Sequence, residues 1–157
     1  GIVEKNYLAL VLGDWQLGEQ LIDKPLLVTN RKGGERHVVV SPDGKPAQTR
    51  VRLSRTYREF SLVQCSPLTG RTHQIRVHLQ SVGFPIAGDE RYGDADANRR
   101  LKALGLPRLF LHAQSISFPD EHGNELHFTA PLSDDLNGFL STLQERFPKR
   151  DSGQGSR

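Results

Sequence analysis

The side chains able to do chemistry crowd between Gly70 and Gly93, where Arg71, Thr72, His73, Gln74, Arg76, His78, Asp89 and Tyr92 follow one another closely. Guanidinium groups here could grip a carboxylate or phosphate through two parallel N–H bonds. Read as a helix at ~100° per residue, the stretch puts Ile75, Leu79 and Val82 on one face and His73, Arg76 and Gln80 on the other. One face packs and the other can meet a ligand. His73 and His78 lie ~140° apart at that pitch, unlike the i, i+4 pair of a zincin, so no metal site is expected. There is no Gly-x-Ser-x-Gly nucleophile elbow. Asp89 is the best carboxylate near Arg76, although an aspartate following Gly88 more often bonds its own turn backbone. Tyr7 heads an apolar run, where a core tyrosine is the plain reading. Cys65, the only cysteine, reads as a small buried hydrophobe and leaves no partner for a disulfide within one chain.

Charge adds a direction. The net charge of +3 is unevenly spread: from Arg31 to Arg76 there are ten basic residues and three acidic ones, a local +7, and the remainder carries −4. Such asymmetry fits a polyanionic partner, nucleic acid above all, although a solvated basic face has the same composition. The 157 residues suffice for one domain with a proper core. No apolar run approaches ~18 residues and no signal peptide opens the chain, so no membrane partner and a cytoplasmic location are expected. Gly1 to Lys5 lead straight into a strand pattern, as though the numbering begins partway through a larger domain.

The elements that must position these residues are readable in outline. Tyr7 to Leu12 forms a buried strand. A short strand at Leu26 to Thr29 and another at His37 to Val40 flank Gly33-Gly34, which has hairpin character and no phosphate-loop spacing. Thr49 onward and Glu59 to Gln64 make a hairpin with Arg55 to Arg58 near its turn and an arginine-rich outer face, Val51 and Leu53 sharing the other face. Thr72 is the expected N-cap of the central helix, and Gly83 with Pro85 its stop. A polar helix follows from Asp94 to Gly105, then a strand from Leu109 to Phe118. Leu126, Phe128 and Ala130 alternate with polar residues in a further strand. Ser133-Asp134-Asp135 caps a last helix carrying Leu136, Phe139, Leu140, Leu143 and Phe147, and residues 149–157 read as a disordered tail.

Gly70-Arg71-Thr72-His73-Gln74-Ile75-Arg76-Val77-His78, followed by Gly83, Pro85-Ile86, Gly88-Asp89 and Tyr92-Gly93, closely resembles the third signature motif of the RluA-type pseudouridine synthases. Lys5-Asn6-Tyr7-Leu8-Ala9-Leu10-Val11 resembles the tyrosine motif of that family, and Leu109-Phe110-Leu111-His112-Ala113 the strand motif that follows the third. The resemblance runs from residue 5 to about 147. It implies an α/β (α+β) fold, a mixed, largely antiparallel sheet flanked by helices, present only in part. Residues 1–148 are then the C-terminal part of a catalytic domain, because the His-Arg-Leu-Asp motif that carries the family's nucleophilic aspartate does not occur in this sequence. The chain alone is therefore expected to be inactive.

The resemblance further implies that Arg76 pairs with that aspartate and that Tyr7 stacks on the uracil and helps to remove its C5 proton. Ile75 and Leu111 correspond to apolar pocket walls. Arg71, Thr72 and His73 fall among the substrate-binding positions, with Arg71, His73 and the arginine hairpin toward phosphates. The activity implied is isomerisation of specific uridines in large-subunit (23S) ribosomal RNA, without cofactor or metal. Ribosomal RNA is the partner, and an exposed sheet edge invites self-association. A non-catalytic RNA-binding module on the same scaffold is the alternative.

Overall fold

A computed structural model describes residues 3–30 and 33–149. Arg31 and Lys32 of the basic segment, and all of the expected tail beyond 149, lie outside the described residues. The chain runs β1 (Glu4–Leu12), β2 (Gln20–Asp23), β3 (Leu26–Asn30), β4 (Arg36–Val40), β5 (Gln48–Tyr57), β6 (Phe60–Pro67), α1 (Gln74–Ser81), α2 (Ala95–Ala103), β7 (Leu111–Pro119), β8 (Glu125–Thr129) and α3 (Asp134–Arg146). It is an α+β fold. Six strands form one antiparallel sheet in the order β2-β5-β6-β1-β7-β8, and β3 pairs with β4 in a separate hairpin.

β1 lies centrally between β6 and β7, and its Leu8 to Val11 are all buried because both faces of the sheet are covered there. Register decides which helix covers which face. Thr49 opposes Pro67, so it shares a face with Cys65, Val63 and Tyr7, and there it meets Gln74 and His78 of α1. Phe60 stands on the other face and packs edge-on against Phe147, just beyond α3. From α3, Leu136, Phe139, Leu140 and Leu143 enter the same core as Leu10 and Leu62. The β3–β4 hairpin packs separately on α1, with Leu26, Val38 and Ala47 around Val77 and Tyr92.

Four details differ from the sequence expectation. β2 was not anticipated, since a four-residue strand burying only Ile22 carries too little pattern. Leu53 is 42% exposed, unlike Val51, although its pairing with Val63 keeps it on the same face; a bulge follows between Leu53 and Arg55. β8 alternates as expected, yet all five of its residues are exposed, with Phe128 at 56%, because no layer among the described residues covers this edge. Ser133 does occupy the N-cap of α3, but its hydroxyl accepts from Arg108 Nη2 at 2.9 Å and makes no cap bond. Instead Asp135 accepts from the Leu136 N–H and pairs with Arg108, which holds its carboxyl down at about 2.

Candidate active site

Entry into α1 is built by Gln74, not by Thr72. The helix begins at Gln74 with His73 at the N-cap in the left-handed region (φ 53°) and no side-chain cap bond, so the capping role expected of Thr72 is not realised. Gln74 is buried and fully partnered: its Oε1 accepts from Thr69 Oγ1 (2.7 Å) and the Arg71 N–H (3.0 Å), and its Nε2 donates to Gln48 O and Thr49 Oγ1 (both 2.8 Å). One side chain thus ties the loop 69–71 to the sheet. The Thr49 hydroxyl, having accepted from Gln74, donates a hydrogen bond to His78 Nδ1 (2.8 Å), while His78 Nε2 donates to Lys24 O (2.9 Å). His78 is fully buried and burial pushes its pKa down, consistent with this neutral tautomer. The two histidines serve separate internal networks, and among the described residues no cluster of three or more His, Cys, Asp or Glu could hold a metal ion. Cys65 is buried, which pushes its thiol up to about 12.

Between α1 and the sheet lies a cavity of about 700 Å³ lined by Tyr7, Arg71, His73, Ile75, Arg76 and Leu111, together with Lys5 and Leu109. Six of the seven residues singled out from sequence meet here; Thr72 is not among the lining residues. Tyr7 and Leu111 reach the cavity because register places both on the α1 face, Tyr7 opposite Cys65 and Leu111 opposite Ala9. A register shift between Asn6 and Tyr7 marks the point where β1 passes under it. Arg71 is held by its Nε, which donates to Pro46 O at 2.9 Å.

Arg76 stands deepest in a charge network. Its Nε and Nη2 donate to Asp89 Oδ2 and Oδ1 at 2.9 and 2.8 Å, and the guanidinium lies 5.0 Å from the centroid of the Tyr92 ring. Side-chain exposure is 20% for Arg76 and 1% for Asp89. The hydrogen bond to Asp89 raises the Arg76 pKa above its usual value. Burial alone would raise the Asp89 carboxyl; the bond and charge from Arg76, with N–H donors from Tyr92 and Arg91, outweigh it and leave it lowered. Asp89 therefore fills its turn role and the ion pair together, since Oδ1 also accepts from the N–H groups of Arg91 (3.1 Å) and Tyr92 (3.0 Å). The sequence reading favoured the turn role alone.

Tyr92 links this pair to His73. Its hydroxyl accepts from the Val38 N–H (3.0 Å), so its proton is directed at His73 Nδ1, 2.8 Å away. With that donor on Nδ1, the neutral ring carries its proton on Nε2, and His73 is among the residues that line the cavity. Burial and then the nearby Arg76 and Arg91 charges lower its pKa, so it offers a neutral donor, not a cation.

The Gly88-Asp89 and Tyr92-Gly93 pairs have a steric reason. At Gly93 a Cβ would fall 2.2 Å from Asp89 O, and at Gly88 (φ 82°) 2.8 Å from Arg108 O. Asn98 of α2 clamps the turn from outside: its Oδ1 accepts from the Gly88 N–H and its Nδ2 donates to Asp89 O, both 2.9 Å. Gln74, Asp89 and Tyr92 lie in the stretch marked from sequence but were given no catalytic or substrate-binding role there, and Asn98 was not marked at all. The signal for Asp89 was its neighbourhood to Arg76; for Asn98 there was none.

The cavity thus brings an aromatic ring beside a carboxylate-gripping arginine, between aliphatic walls. The chain belongs to the RNA pseudouridylate synthase family, whose defining pattern matches residues 1–81. It is 49% identical over 146 residues to the ribosomal large subunit pseudouridine synthase C of Haemophilus ducreyi, covering 91% of this chain and 45% of that protein. Identity to the protein of the same name from Escherichia coli strain K12 is 46% over 145 residues, covering 90% and 46%. The chain thus spans about half the length of the curated relatives it matches. The stretches Gly34-Glu35-Arg36, Gly44-Lys45-Pro46 and Cys65 to Thr69 point to the same relatives. Among solved structures, human RNA pseudouridylate synthase domain containing 1 superposes with a TM-score of 0.75 at 25% identity, covering 97% of this chain and 63% of that one. Human RNA pseudouridylate synthase domain containing 4 gives a TM-score of 0.71 at 25% identity, with 95% and 64% covered.

Proposed function

We propose that residues up to 148 form the C-terminal part of the catalytic domain of an enzyme that converts specific uridines of large-subunit ribosomal RNA to pseudouridine. The observation that supports this reading most is the convergence of Tyr7, Arg76, Ile75 and Leu111 on one cavity. In the reaction the N1–C1′ bond breaks, the base turns, C5 bonds to C1′, and the C5 proton departs as N1 gains one. Oxidation state is unchanged, so no redox cofactor is called for. The target must first leave its stack to reach such a cavity.

Each residue has a task in this scheme. Ile75 and Leu111 flank the uracil, and the Tyr7 ring stacks on it with the hydroxyl placed to assist loss of the C5 proton. Arg76 keeps the nucleophilic aspartate ionised and oriented, which a planar fork does well. The motif that carries that aspartate does not occur in these 157 residues, and on this reading they do not turn over alone. Arg71, its Nε held by Pro46, directs the rest of its guanidinium to phosphate, and His73 contributes a neutral N–H. Among the described residues no helix is long and apolar enough to cross a membrane, and the reading places the protein in the cytoplasm with its RNA.

The test is pseudouridine formation by the complete protein on large-subunit ribosomal RNA, mapped nucleotide by nucleotide. Site-specific pseudouridine is the expected result. RNA binding with no pseudouridine at any position would favour instead a binding module built on the same scaffold.

A further inference from the structure

Asp89 is oriented toward Arg76 more rigidly than an ion pair needs. It is 1% exposed, its Oδ1 is fixed by two backbone N–H groups, and its backbone oxygen is held by Asn98. From that fixed position it takes the Nε/Nη2 edge of Arg76, while the Tyr92 ring lies against the guanidinium. A guanidinium has five N–H donors, and the two spent on Asp89 leave Nη1 and the second Nη2 hydrogen for the cavity that Arg76 lines. A second carboxylate fits that remaining edge by the same two-bond geometry.

We infer that Asp89 is the positioning residue for Arg76, locking one edge of the guanidinium so that the opposite edge is presented in a fixed direction to the nucleophilic carboxylate. This deepens the proposed function and rests on it. Asp89 touches neither substrate nor reacting atoms in this scheme. It acts through Arg76, and the Gly88 and Gly93 positions act through Asp89 by letting the turn close.

The experiment compares the complete protein with its Asp89→Asn variant. Asparagine still accepts from the Arg91 and Tyr92 N–H groups through its Oδ1, so the turn survives while the ionic grip is lost. The expected result is a single-turnover rate lower by on the order of 10²-fold, RNA affinity unchanged, and an acid limb of the pH–rate profile displaced to higher pH, because a poorly placed guanidinium no longer keeps the nucleophile ionised. Adding Asp89→Asn to Arg76→Lys should cost nothing further, since lysine has no fork to orient. Folding is read separately by the Arg76 Nε–H NMR signal, which should lose its protection from exchange while the remaining spectrum is retained. An unshifted acid limb with a parental rate per folded molecule would overturn the inference, as would an Nε–H signal as protected as in the parent. Absence of pseudouridine formation by the parent itself would instead overturn the proposed function.

Discussion

Tyr7 and Arg76 differ in what a conservative substitution removes. Phenylalanine at position 7 keeps the ring that would stack on the base and takes away only the hydroxyl. Lysine at position 76 keeps the charge but cannot hold Asp89 on one edge and a second carboxylate on the other. In the complete protein both Tyr7→Phe and Arg76→Lys should bind substrate RNA as the parent does and form pseudouridine at least ~10²-fold more slowly in single-turnover assays. A parental rate in either variant removes the role given to that residue. His78, by contrast, is a structural histidine despite its place in the same motif. Its folded-state pKa is lowered, so the folded chain binds fewer protons than the unfolded chain, which titrates near ~6.5. Stability should therefore be complete above that pH and decline as pH falls below it toward the folded value. Urea titrations between pH 8 and pH 5 should show this decline, and His78→Gln, with no such group, should show a shallower one; equal slopes would refute the assignment. His73, lowered in the same direction, contributes to the part that persists.

At the scale of elements, α1 works because its surroundings accept it on more than one side. Gln74, Ile75, Val77, His78 and Leu79 are all buried, the first and fourth by hydrogen bonds to β5 and the Lys24 carbonyl, and Val77 against the β3–β4 hairpin. The segment after it is pinned into the sheet where Ala87 N–H donates to Leu10 O and Phe110 N–H donates to Ala87 O, which carries the Gly88-Asp89 turn to the end of β1. The turn tolerates no Cβ at position 93, whose contact would be with a backbone oxygen and not a movable side chain. Gly93→Ala should cost about 1–3 kcal/mol of stability by overpacking, read as a lower denaturant midpoint at constant m-value. A midpoint equal to the parent would mean that the turn can open without penalty. Arginines of the hairpin also serve their own elements. Arg58 donates to Arg146 O at the end of α3 and lies over the Phe147 ring, and Arg52 donates from Nε and Nη2 to Gln64 Oε1.

For the molecule as a whole, the basic segment and the open sheet edge are where contact with other chains is expected. Arg71 has its Nε engaged by Pro46 O and lines the cavity, so on the proposed reading Arg71→Ala should weaken binding to unrelated RNAs about equally and lower the slope of log K against log salt by about 1. An unaltered slope would show that Arg71 meets no phosphate. β8 exposes Leu126 and Phe128 on an edge strand, with Phe118 stacked on Phe128 as its apolar neighbour. Such an edge pairs readily with another, so sedimentation of this chain should show concentration-dependent association that Phe128→Lys reduces. A monomer at all concentrations would argue that the edge is already protected.

What the sequence determined by itself was local or periodic. The 3.6-residue pattern bounded α1 and α3, alternation placed β5 and β6, and the Gly70 to Gly93 string announced a site through residue types alone. It also supplied Tyr7 and Leu111 through resemblance, distant from Arg76 in the chain and adjacent to it in space. Tertiary structure decided the rest, for reasons of contact. Whether Asp89 bonds only its turn or also an arginine thirteen residues earlier depends on how α1 lies against that turn, which no periodicity encodes. The tautomer of His73 depends on a tyrosine hydroxyl aimed by the Val38 N–H of a separate hairpin. Thr72 has the composition of a cap, but the backbone turns left-handed at His73 and the buried amide of Gln74 binds the loop in its place. Burial of β8 could not be foreseen either, because alternation states which face is apolar and only the assembled layers state whether anything covers it.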